Sequence, residues 1–160
     1  MLTSEIEKVL TVFRGIAGRD AELAANYMNP AKYMEHNPHA ADGVQGLKEY
    51  IAQLPRENHH LELVRHFQDG SYVFTQAQGA ILGKSVFFDI FRFEDGLIAE
   101  HWVVSTEPAP PNQSGHTQTD GPTVAKHDQD TERNKGTSKN MLPRRVRNEI
   151  LLAVGETECR

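Results

Sequence analysis

The chain has 160 residues, 38% of them hydrophobic, and a formal net charge of −5. That length suits one domain with a real core, and the acidic balance argues against nucleic-acid binding as the main role. Cys159 is the only cysteine, which excludes an intrachain disulfide and a cysteine-based zinc site. The N-terminal stretch is polar and amphipathic rather than leader-like, and no run approaches the ~18 apolar residues of a membrane span. A cytoplasmic protein without a membrane partner is the expectation.

Ser4 followed by Glu7 has the spacing of a capping box, and Ile6, Val9, Leu10, Phe13 and Ala17 then recur at helical period up to Gly18. Asp20 can cap a second helix carrying Leu23, Ala24, Tyr27 and Met28, which must stop before Asn29-Pro30. A short extended segment over 31–36 leads into Asn37-Pro38. A third helix is predicted over 44–54, with Leu47, Tyr50, Ile51 and Leu54 inward and Pro55 behind it. Beyond Pro55 the period drops to about two. Leu61, Leu63 and Phe67 sit on alternate positions of one strand, Asp69-Gly70 turns, and strands follow over 72–82, 86–93 and 97–105. Helices first and antiparallel strands after predict an α+β domain, a curved sheet with helices on one face.

All 12 aromatic residues lie between Phe13 and Trp102, whereas residues 107–140 hold three hydrophobic residues among 34. The expected organisation is therefore a domain over 1–106, a polar linker or arm over 107–140, and a short helix or tail over 141–160. The arm reads either as a solvated tail or as a segment that docks on a neighbouring subunit.

Three positions carry candidate chemistry. His36 ends the short extended segment before Asn37-Pro38, Asp89 interrupts the apolar run 86–91, and His101 lies on the last strand. A carboxylate among apolar neighbours is costly unless it is paired or protonated. Its partner depends on the hairpin at Asp95-Gly96. A two-residue loop sets Asp89 opposite Trp102, and a three-residue loop sets it opposite His101. The second is preferred, because it gathers Phe87, Asp89, Phe91, His101, Val103 and Ser105 on one face. Arg92, Glu94, Glu100 and Trp102 are left on the other, which suits a subunit contact. His36 with His39 is a weak metal signal, and the expectation is no metal and no cofactor.

The run Asp-Ile-Phe-Arg-Phe-Glu-Asp-Gly at 89–96, with Ile98 and Glu100-His101-Trp102, resembles the SnoaL-like branch of the nuclear transport factor 2-like superfamily. Tyr33-Met34-Glu35-His36-Asn37-Pro38, followed by Asp42-Gly43 and Gly46, is similar to the same group's first strand and third helix. The resemblance covers residues 3 to about 106. It implies a cone-shaped domain, in which a bent antiparallel sheet wrapped by three N-terminal helices surrounds a deep pocket, and it implies a homodimer. Polyketide cyclases, ketosteroid isomerases and epoxide hydrolases share the superfamily. On that likeness His36 falls where ketosteroid isomerases carry a carboxylate base, and Asp89 falls where they carry a protonated Asp. Val12 and Phe13 occupy the stretch of those enzymes' helical Tyr, and Val103 stands where close SnoaL-like relatives carry an Asp.

Two functional readings follow. In the first, a cofactor-independent enzyme acts on a small apolar carbonyl compound by aldol-type cyclisation or isomerisation. His36, Asp89 and His101 are its catalytic residues, and Phe13, Phe87, Phe91 and Val103 line its substrate site. In the second, the same pocket holds a ligand without transforming it, as a binding or assembly module.

Overall fold

The computed structural model describes residues 4–56, 59–124, 130 and 133. Helix α1 spans Ser4–Gly18 and buries Ile6, Val9, Val12 and Phe13. The Ser4 hydroxyl bonds to Glu5 rather than closing a capping box with Glu7. Asp20 caps α2 as expected, accepting from the Leu23 amide at 2.9 Å. The helix is shorter than its apolar pattern suggested, Ala21–Ala25. Gly15 is required where the two helices meet, because a Cβ there would lie 2.4 Å from the Ala24 backbone nitrogen. Helix α3, Gly43–Gln53, starts at the Asp42 cap.

Five strands form one sheet in the order β1-β5-β4-β3-β2, with β1 Met34–Glu35, β2 His60–Asp69, β3 Tyr72–Ala80, β4 Lys84–Glu94 and β5 Leu97–Thr106. Only β1 runs parallel to its neighbour, β5. The chain ahead of β1 already follows the β5 edge. Ile98 exchanges backbone hydrogen bonds with Tyr27 and Asn29, and the His36 amide donates to the His101 carbonyl at 2.9 Å. These contacts fix the register that sets Glu35 beside His101. The three helices cover one face of the sheet, and the core between them joins Val9, Phe13, Ile51, Val73, Phe91 and Ile98. Among the described residues no helix is long and apolar enough to cross a membrane.

Two bulges revise the register read from the sequence. Asp95 and Gly96 both have positive φ, 52° and 76°, so the hairpin closes with the two-residue turn that was not preferred. Ala99 is then an extra residue, because Phe93 pairs with Ile98 while Arg92 pairs with Glu100. Asp89 therefore faces Val103 rather than His101. Its side of the sheet is nevertheless the one expected, since His101 lies two residues away on the same face. In β2 the register shifts between Leu63 and Arg65, which moves Phe67 to the opposite face from Leu61 and Leu63.

The compact unit runs to Val124 rather than to residue 106. Residues 107–124 return over the outer face of β2 and β3. The Arg65 guanidinium donates to the Thr119 and Asp120 carbonyls at 3.1 and 2.7 Å, Gln76 donates to the Gln118 carbonyl at 2.8 Å, and the Thr119 hydroxyl donates to Gln78. The segment needs no apolar residues to dock, because its backbone carbonyls meet side-chain donors on the strands. Apart from Asp130 and Arg133, the remainder of the expected arm to residue 140 and the tail over 141–160 lie outside the described residues.

Candidate functional site

The sheet's inner face, the one under the helices, carries a buried histidine between two carboxylates. His101 Nε2 lies 3.2 Å from Asp89 Oδ1, and its Nδ1 lies 2.9 Å from Glu35 Oε1. Ionised carboxylates only accept, so a ring engaged at both nitrogens donates from both and is an imidazolium. Burial opposes that charge, but the hydrogen bonds that His101 donates to Asp89 and Glu35 outweigh it and hold His101 up at about 9. Burial likewise opposes ionisation of Glu35, yet the His101 bond and charge, the Tyr33 phenol and the Asn37 amide together hold its carboxyl below the usual range.

The carboxylates are anchored in turn. Tyr33 donates its hydroxyl to Glu35 Oε2, and the Asn37 amide donates to Oε1 at 2.9 Å. The Thr75 hydroxyl donates to Asp89 Oδ2 at 3.1 Å. The Phe91 ring stacks on His101 at 4.5 Å and meets Phe13 edge-on at 6.1 Å. On α3, burial pushes the Tyr50 phenol up; a hydrogen bond with Asn37 opposes this, and the charges of Glu35 and Asp89 add to it. Tyr50 therefore stays a neutral phenol.

The sequence-predicted residues separate into two groups. Asp89 and His101 come together, 5% and 8% exposed. Phe13 and Phe91 are buried core behind them, and Phe87 and Val103 stay partly exposed on the same face. His36 does not join them. Its side chain is 44% exposed on the opposite face, with Nε2 at 3.0 Å from Glu100 and its ring stacked on Trp102 at 5.0 Å. The reason is parity: the parallel pairing of β1 with β5 aligns Glu35 with His101, so the next residue points outward. Convergence of His36 with Asp89 is thereby overturned. Glu35 is the residue that sequence reasoning missed, although the two-residue period along 33–36 offers it as the alternative to His36. Among the described residues no group of three or more His, Cys, Asp or Glu side chains is arranged to hold a metal ion.

No protein-family model matches this chain, and no curated protein does. Solved structures do. A nuclear transport factor 2-like protein of unknown function from Burkholderia xenovorans LB400 aligns at TM-score 0.61 and 17% identity, over 74% of this chain and 96% of its own. A protein from Kribbella flavida DSM 17836, provisionally named a ketosteroid isomerase, aligns at 0.57 and 15%, over 76% and 94%. A protein from Jannaschia sp. CCS1, provisionally named a SnoaL-like polyketide cyclase, aligns at 0.52 and 20%, over 64% and 85%. At these identities the likeness shows the fold, which is nuclear transport factor 2-like.

Proposed function

We propose that this chain is a small-molecule enzyme performing cofactor-independent acid–base chemistry on an apolar carbonyl compound, with Asp89 as the base. The observation that carries this is the Asp89–His101–Glu35 row on the inner face. Asp89 spends one lone pair on each oxygen, to Thr75 and to His101, and keeps acceptor capacity on both, while Phe87 and Val103 on the same face are partly exposed. Asp89 breaks the C–H bond alpha to the carbonyl, and the electron pair moves into the enolate. Tyr50, a neutral phenol, donates to the developing oxyanion. Returning the proton to another carbon completes an isomerisation; alternatively, attack of the enolate carbon on a second carbonyl closes a ring, and the resulting alkoxide takes the proton back from Asp89. His101 positions Asp89, and Glu35 positions His101. The provisional cyclase and isomerase names of the two neighbours agree with this chemistry.

The test needs no known product. Wild-type protein in D₂O should exchange the alpha protons of some members of a panel of apolar ketones and enones, followed by NMR. Asp89→Asn should slow that exchange by ~10²–10⁴-fold while the ligand still binds. Exchange that survives Asp89→Asn removes Asp89 as the base. The second reading, a binding module, is favoured by the internal partners that both His101 nitrogens and all four carboxylate oxygens already have. Ligand-induced shifts without exchange in the wild type would select it.

A further inference from the structure

Residues 107–124 do not lie flat on the outer face over which they return. Between them and the ends of β2, β3 and β4 runs a groove of about 480 Å³, within the range of small-molecule sites. Register sets its sheet side: Glu62 pairs with Gln78 and Gln78 with Val86, while Ala80 pairs with Lys84. Val86 is buried although it stands on the outer face, so the groove has an apolar floor. Ala109, Thr117 and Gln118 line the opposite wall. That wall is tied down. The Ala109 amide donates to the Gln118 side-chain oxygen at 2.7 Å, and Gln76 donates to the Gln118 carbonyl at 2.8 Å.

The polar groups left over in the groove set what it can hold. Lys84 and Glu62 both line it, yet they make no ion pair with each other, and Lys84 has no partner among the described residues. Glu62 gives Oε2 to Gln78 at 2.9 Å and keeps its other oxygen. On the wall, Gln118 spends its side-chain oxygen on Ala109 and keeps both amide hydrogens. The Thr117 hydroxyl oxygen accepts from the Thr119 and Asp120 amides, and its O–H remains to be given. Three donors, one of them a cation, therefore face one carboxylate oxygen across an apolar floor.

We infer that this groove binds a small zwitterion, an amino acid or a dipeptide. Its carboxylate meets Lys84, Gln118 and Thr117, and its ammonium meets Glu62. Two strand spacings and an offset of two residues put the Glu62 and Lys84 backbones roughly 12 Å apart. Two charge-assisted hydrogen bonds of about 3 Å each, with a short molecule between them, fill that span. A single ion satisfies only one of the two charges, so recognition requires both ends of the ligand. The site is independent of the chemistry assigned to Asp89, which lies on the inner face.

Titration of the full chain with alanine, valine and alanyl-valine, followed by backbone amide NMR shifts, tests the assignment. At least one should bind, with shifts gathered at residues 60–62, 78–86 and 108–119. The N-acetyl and amide derivatives of that zwitterion each lack one charge and should bind about tenfold more weakly or worse. Lys84→Met and Glu62→Gln should each weaken the zwitterion by a similar factor. Both residues are exposed, so neither substitution disturbs the core. In Lys84→Met the zwitterion should lose its advantage over its own amide. Alpha-proton exchange should be unchanged in both variants, so failure of this site and failure of Asp89 as the base are read separately. The inference is overturned if none of the three zwitterions shifts these residues at tens of millimolar, or if the singly charged derivatives bind as tightly.

Discussion

Each face of the sheet carries a histidine paired to glutamate, and the two pairs behave as different chemistry. On the inner face His101 has a carboxylate on each ring nitrogen and almost no contact with water, and its proton is held to about 9. On the outer face His36 has one carboxylate and a half-open side chain, and Arg92 shares that carboxylate. The side-chain types and distances are nearly the same, with 2.9 Å from His101 to Glu35 and 3.0 Å from His36 to Glu100. What differs is desolvation and the number of partners. A histidine–carboxylate contact therefore says little until the face it occupies is known.

The largest expected effect follows from removing the inner cation. His101→Leu leaves Glu35 and Asp89 buried without the group between them, and breaking such a buried arrangement costs about 3–5 kcal/mol. Urea unfolding at neutral pH measures it. A loss within the ordinary surface range, about ±0.5 kcal/mol, would mean that the inner row is no more than a surface pair. Next comes the pH dependence of the wild type. The folded His101 value lies above its ordinary 6.5, so its contribution is complete below 6.5 and disappears as pH rises through about 9. A displacement of that size corresponds to about 3 kcal/mol. Glu35 acts in the other direction: its folded value is held below 4.5, so its contribution is present above that pH and is lost on further acidification. Unfolding free energy should thus be greatest between these limits and fall toward pH 9, and the alkaline fall should vanish in His101→Leu.

The elements were legible in the sequence because their signals are local. Asp20 marks a helix start, Pro55 marks a stop, and the Asp95-Gly96 pair marks a hairpin. Asp89 and His101 were placed on one face by alternation together with the three-residue loop preferred for the hairpin. The bulges at Ala99 and between Leu63 and Arg65 were not legible, because an extra residue in a strand carries no composition of its own. The face assignment of Asp89 survived because the turn is one residue shorter than preferred while the bulge adds one on β5, and the resulting offset of two preserves parity. His36 had no such compensation. Which of Glu35, the last residue of the two-residue strand, and His36 after it points inward is fixed by pairing with β5, some 66 residues away in sequence for Glu35 and His101. Docking of residues 107–124 was hidden for a related reason, since it rests on backbone carbonyls, which every residue supplies.

The smallest expected effect is the sharpest test of the division between the faces. His36→Ala removes an exposed ring whose carboxylate partner keeps the Arg92 guanidinium at 2.8 Å, so no buried charge is stranded. Burial favours the neutral form of Glu100, and the His36 bond, the Arg92 bond and the Arg92 charge together hold its carboxyl below the usual range; removing His36 leaves the arginine contributions in place. Exposed pairs of this kind are worth about 0.2–1 kcal/mol, so the urea midpoint should hardly move. Alpha-proton exchange should be unchanged, while Trp102 emission should change because its stacked neighbour at 5.0 Å is gone. If His36→Ala abolishes exchange as completely as Asp89→Asn, proton transfer does not respect the sheet as a barrier. The inner row would then lose its claim to be the whole reactive centre.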